Sequence, residues 1–129
     1  MHHLFIAAAT EAQHQPSSEA LSCAPVLRDW IAMLDAPGVL CLGGTVTGHP
    51  LLEDGKRIYT SMLIALDPGG AWARTRSRWY RLAGEWSAKA TPREVTIRNC
   101  VWLCPEDARR AAASLQTAIL QHRRRPFDA

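Results

Sequence analysis

The spacing of apolar residues changes character partway along the chain. In residues 1–36 it is helical. LFIAAATEAQ, residues 4–13, reads as a helix running to a break near Pro16. Leu27, Trp30, Ile31 and Leu34 then fall on one face of a second helix, with Pro25 suited to its first turn. Asp35, Ala36, Pro37 and Gly38 close that segment. From Val39 the period drops to two. VLCLGGTVTG predicts a strand whose Gly43-Gly44 pair marks a bulge or bend. Asp54-Gly55 supplies a tight reversal, and RIYTSMLIALD resumes as a strand with Ile58, Thr60, Met62, Ile64 and Leu66 on one side. Asp67-Pro68-Gly69-Gly70 is the strongest turn signal, and WARTRSRWYRL, residues 72–82, follows it as a third strand.

After a polar stretch, EVTIRNCVWL at residues 94–103 predicts a fourth strand. Pro105, Glu106 and Asp107 then open a helix striped with Ala108, Ala111, Leu115, Ala118, Ile119 and His122, and Arg123, Arg124 and Arg125 suit the negative end of its dipole. The expected fold is α+β within one domain, residues 1–129. A helical N-terminal segment (1–36) precedes a β core (39–103), and a C-terminal helix (105–125) follows. The core is expected to be a small, strongly bent antiparallel sheet, SH3-like or otherwise a partly open barrel.

Composition adds little to this: 47% hydrophobic and 21% charged residues are ordinary globular values. Charge adds more, because the net +3 is the sum of an acidic front and a basic back. Residues 1–55 carry −5 and residues 56–129 carry +8, so the halves either neutralise each other or leave a basic surface for a polyanion. LFIAAA is too short for a membrane span and lacks a cationic lead, which predicts a cytoplasmic protein with no membrane partner. Cys23, Cys41, Cys100 and Cys104 form no dense framework and are expected to be reduced. Cys100 and Cys104, four apart in a strand, would stand ~13 Å from each other, too far to share an ion. A zinc site completed by Cys23 or Cys41 with His49 would need a helix there; no metal and no cofactor is expected.

APVLRDW (24–30), TVTGHP (45–50), DGKRIYTSMLIALD (54–67) and WARTRSRWYRL (72–82) together resemble a family of short, uncharacterised bacterial proteins. In that family a strand ending in Gly-His-Pro precedes an Ile-x-Thr-Ser strand and an Arg-Thr-x-Ser-x-x-Tyr-x-Leu strand. The resemblance covers residues 24–84 and leaves the chain after Gly84 outside the pattern. It implies no established activity, and an association with phages or other mobile elements.

If residues 72–82 form one strand, alternation puts Trp72, Arg74, Arg76, Arg78, Tyr80 and Leu82 on a single face. Neighbours on that face stand ~6.7 Å apart, close to the spacing of phosphates on an extended nucleic-acid strand. Trp72 and Tyr80 would stack on bases at its two ends. The sequence thus predicts a non-enzymatic binding protein for an anionic ligand, nucleic acid or a nucleotide, through Trp72, Arg74, Arg76, Arg78 and Tyr80, with His49, Arg57 and Arg81 as secondary candidates. The plain alternative is a solvated strand whose charges prevent edge-to-edge pairing. A second function class is an inhibitor or adaptor of mobile-element type, for example an anti-defence protein, anchored on tryptophans and acting alone or as a homodimer. Hydrolase or transferase chemistry at His49, with Glu53, Asp54 or Ser61, ranks third because no motif frames a nucleophile there.

Overall fold

The helical spacing of Leu27, Trp30, Ile31 and Leu34 belongs to a strand. In the computed structural model, which describes residues 2–35, 38–85 and 100–123, strand β1 spans Val26–Leu34. Its register against β2 (Leu40–Thr47) jumps between Arg28 and Ile31, and Asp29 has a left-handed backbone with φ 48°. This bulge slips one extra residue into the strand, so Leu27 and Trp30, three apart, both enter the main core. Beyond it the strand is buried on both sides, with Ala32 in the main core while Ile31 and Met33 pack beside Cys41. Period two with one insertion thus imitates a helix stripe. The bulge lies in β1, not at Gly43-Gly44, whose backbone β1 approaches closely.

Before β1 the chain is helical. Helix α1 spans His2–Glu11 and the short α2 spans Ser18–Cys23, where Ser17 Oγ accepts from the Ala20 N–H as N-cap. The sheet therefore begins at Val26 rather than at Val39. After β2 the Asp54-Gly55 reversal forms as expected, with Gly55 at φ 84° and its N–H donating to Val46 O at 2.8 Å. The stretch RIYTSMLIALD is two strands, β3 (Arg57–Tyr59) and β4 (Leu63–Leu66). The break at 60–62 moves the faces out of step. Ile58, Leu63 and Leu66 share the main core, while Ile64 turns to the helices with Met62 packed beside it.

The Asp67–Gly70 turn leads into β5 (Trp72–Thr75) and β6 (Trp79–Glu85). β7 (Val101–Leu103) and helix α3 (Pro105–Arg123) complete the described chain. The strand order is β3-β2-β1-β6-β5-β4, with β7 pairing antiparallel to the far end of β1. β1 and β6 run parallel, so the sheet is mixed and the expected all-antiparallel sheet is corrected. β3 and β4 stand at opposite ends of this path although only residues 60–62 join them. Four backbone steps reach at most about 14 Å, so the sheet must curl strongly to bring its ends that near. It does so without closing into a barrel. The Thr60 N–H donates to Leu42 O at 2.8 Å, and Thr60 Oγ1 accepts from Leu42 N–H at 3.0 Å.

Alanines allow close packing of the helices on this sheet. Ala108 and Ala112 of α3 enter the main core, and Ala8 and Ala9 of α1 seal Ile64 together with Phe5, Leu115 and Ile119. α3 thus packs on the sheet and on α1, as its stripe predicts, although Ala118 and His122 are exposed. Residues 94–99 of the expected fourth strand, the side chains of Arg123, Arg124 and Arg125, and the end of the expected helix lie outside the described residues.

Candidate functional site

WARTRSRWYRL is a hairpin, and this rearranges the arginines. Thr75 and Arg78 face each other across a turn made by Arg76 and Ser77: the Thr75 N–H donates to Arg78 O at 2.9 Å. The buried Thr75 hydroxyl accepts from the Arg78 N–H at 3.2 Å and the Ser77 N–H at 3.3 Å, a side-chain-braced turn of the kind Ser and Thr favour. The Arg76 N–H reaches Met62 O at 2.8 Å, and Ser61 and Ser77 hydroxyls meet at 2.9 Å, which docks the turn on the β3–β4 break.

Reversal at Arg76-Ser77 undoes the expected single face. Trp72 pairs with Arg81 and Arg74 with Trp79, so those four side chains share one face; Ala73 and Tyr80 face the other way, into the main core. Tyr80 is only 4% exposed and its burial raises the phenol pKa, so it is a core residue rather than a stacking platform. Trp72 packs edge-on against Trp79 with ring centroids 5.4 Å apart. Arg76 lies with its guanidinium 5.5 Å over the Phe5 ring of α1.

Arg74 is almost fully buried. It pairs with Glu11 at 2.9 Å, and its guanidinium lies 5.6 Å over the Trp79 ring. Burial, then the charge of Arg78, weaken its hold on the proton, while Glu11 supports it. Its Nε is buried with no hydrogen-bond partner among the described residues, as is that of Arg76. Arg78 is half-buried and has no ion pair among the described residues. The secondary candidates divide. Arg57 donates to Asp29 O at 2.9 Å and braces the bulge, and Arg81 Nε donates to Ala24 O at 3.1 Å, so both tie down β1.

His49 remains near the site. Its Nδ1 accepts from the Leu51 N–H at 3.0 Å, its ring lies 6.3 Å from Tyr80, and desolvation followed by the charge of Arg78 lowers its pKa below 6.5. The turn beside it closes through Asp54 Oδ1, which accepts from the Gly48 N–H at 2.8 Å. His49 makes no hydrogen bond to Ser61, Glu53 or Asp54 among the described residues.

Of the residues so placed, four of the hairpin meet in one depression of about 310 Å³. Arg74, Ser77, Arg78 and Trp79 of the hairpin form one wall; Cys23, Pro25 and Pro50 stand among the residues lining the rest. Two guanidiniums and an indole thus converge where a continuous strand would have put the indole on the face opposite both guanidiniums. Trp79, Ser77 and Cys23 were missed by alternation alone. The signal for the turn was present in Thr75-Arg76-Ser77-Arg78, a polar run that ends at the aromatic pair Trp79-Tyr80. Among the described residues no group of three or more His, Cys, Asp or Glu side chains gathers as a metal would require. Cys23 is exposed, while Cys100 packs beside Cys41.

Family membership is decided by a match that takes in the hairpin and most of the sheet. The chain is a member of DUF6634, a family of unknown function. The DUF6634 match runs from residue 2 to 98, beyond the 24–84 stretch that carries the resemblance and past Gly84. It takes in α1 with Glu11 and every residue lining the pocket. No curated protein and no solved structure matches the chain. Among the described residues no helix is long and apolar enough to cross a membrane.

Proposed function

We propose that this DUF6634 protein is a small cytoplasmic binding protein, not an enzyme, for an anionic ligand of the nucleotide or single-stranded nucleic-acid class. The reading rests on one observation: Arg74 and Arg78 line the same pocket as Trp79, and the buried Nε of Arg74 has no partner among the described residues. Guanidiniums suit phosphate oxygens because their donors form a planar fork. An indole beside them offers a base a stacking face worth about 1–3 kcal/mol. At about 310 Å³ the pocket sits at the lower end of the range for small-ligand sites, which favours one nucleotide unit over a duplex. The contact proposed is therefore a pocket rather than a strand-long row, with Arg76, Tyr80, Arg57 and Arg81 outside it.

Titration of the intrinsic tryptophan fluorescence with a mononucleotide and with a short single-stranded oligonucleotide tests this. Arg78→Ala removes a side chain that pairs with nothing described. It is expected to weaken binding about tenfold or more, the worth of one charged hydrogen bond, with the melting temperature unchanged. Equal affinity in the two proteins would refute the pocket as the site.

A second reading, an inhibitor or adaptor of mobile-element type that binds a protein or a second copy of itself, is favoured by Val101 and Trp102, 59% and 41% exposed on β7. It predicts a stoichiometric complex that Trp102→Ala abolishes and Arg78→Ala spares. Chemistry at His49 is disfavoured by its engagement with Leu51 and by Ser61 pairing with Ser77.

A further inference from the structure

Glu11 is the last residue of α1, where a carboxylate meets the negative end of the helix dipole, and no basic residue in that last turn offsets it. Its compensation is Arg74, 2.9 Å away. The pair is lopsided: the Arg74 side chain is 8% exposed and that of Glu11 53%. Glu11 can therefore rotate into water at little cost. Arg74 has no such escape, and a buried cation deprived of its partner is strongly unfavourable unless another anion takes the place. The arginine is also under-used, since Glu11 engages one terminal nitrogen while the buried Nε donates to nothing described.

Charge then selects the ligand. Glu11 does not itself line the pocket but pairs with Arg74, which does, so the guanidiniums of Arg74 and Arg78 carry a net +1 with Glu11 docked and +2 with it displaced. A phosphodiester brings one negative charge, so it exchanges for Glu11 one for one with no electrostatic gain. A phosphate monoester brings two and neutralises both guanidiniums. We propose that the ligand group selected by this pocket is a dianionic phosphate monoester, which takes Arg74 from Glu11, so that Glu11 acts as an internal competitor that excludes phosphodiesters. The inference rests on the anion-pocket reading and sharpens it: the ligand is a mononucleotide or a terminally phosphorylated end, not the interior of a strand.

The test compares adenosine monophosphate with a dinucleoside phosphate that has no terminal phosphate, at pH 8, where the monoester is fully dianionic because its second pKa is about 6. Wild-type protein is expected to prefer the monoester by about tenfold or more, a modest share of the attraction one extra charge feels at contact range. Glu11→Gln keeps an amide oxygen for Arg74 and removes the competing charge. It is expected to raise affinity for the dinucleoside phosphate at least about fivefold and to narrow the preference. If the wild type binds both ligands equally, or if Glu11→Gln weakens both because Glu11 merely positions Arg74, the inference fails while the pocket reading stands. If neither ligand binds either protein, the pocket reading itself fails. The wild-type ratio needs no variant, so it decides the charge preference even if Glu11→Gln folds poorly.

Discussion

At the scale of single residues, the neighbourhood of Arg78 makes a measurable statement through His49. Desolvation and the Arg78 charge both disfavour the imidazolium, and an Nδ1 that accepts from the Leu51 N–H holds the neutral ring in place. NMR titration of His49 should give a midpoint below 6.5. In Arg78→Ala that midpoint should rise without recovering fully, since burial remains. The consequence for stability has a definite sign. As pH falls below 6.5 the unfolded chain takes up the proton first, so stability is complete above that value and declines on the way down through the folded pKa. Denaturation at pH 7.5 and 5 should show less of this decline in His49→Gln than in wild type; equal declines would mean that His49 is not desolvated. The kinds of residue at the site, arginine beside tryptophan, were legible in the sequence. Which tryptophan was not, because Trp79 lies just past the Arg76-Ser77 turn, whose hydroxyl brace appears only once Thr75 is buried.

Among the elements, β1 shows why local pattern misled and how the packing behind it can be tested. A Cβ on Gly44 would stand 2.6 Å from Leu27 Cγ and 3.0 Å from Arg28 O, while one on Gly43 would meet only the flexible Met33 Cε inside 3.0 Å. Gly44→Ala should therefore cost about 1–3 kcal/mol as an overpacked core and Gly43→Ala clearly less. Chemical denaturation of the two variants checks the ordering, and equal losses would mean that β1 does not press on β2 as described. The same close approach accommodates the bulge at Asp29, which spaces Leu27 and Trp30 by three and gives a strand the signature of a helix. Period reading succeeded where elements were bounded by glycine turns, at Asp54-Gly55 and at the Asp67–Gly70 reversal, where Gly70 holds φ 75°. It failed where a strand broke or reversed without a glycine, at residues 60–62 and at Arg76-Ser77. At both places a threonine hydroxyl accepts backbone N–H groups, Thr60 from Leu42 and Thr75 from Ser77 and Arg78, and no periodicity records that.

For the whole molecule, the α+β class with a helix at either end follows from the hydrophobic pattern, but the parallel pairing of β1 with β6 joins segments too far apart for any local signal. The charge asymmetry resolves along the same lines. Glu11 of the acidic half neutralises Arg74 of the basic half, and Arg57 and Arg81 spend their donors on β1 carbonyls or the residues beside them. On α3, Arg110 pairs with Asp107 at 3.0 Å and Arg109 donates to Pro68 O at 3.2 Å. Among the described residues, five of the eight basic side chains of the basic half are thus engaged internally, which sets how steeply any nucleic-acid affinity held by them should depend on salt. A single-stranded oligonucleotide held by one phosphate should give a log–log slope of about −0.7, whereas three phosphates along a strand-long arginine row would give about −2. Fluorescence titrations of a short oligonucleotide from about 50 to about 300 mM salt, roughly a sixfold range, separate the two. A slope near the steeper value would mean that arginines outside the pocket have left their internal partners to hold the strand, and the pocket would no longer account for binding.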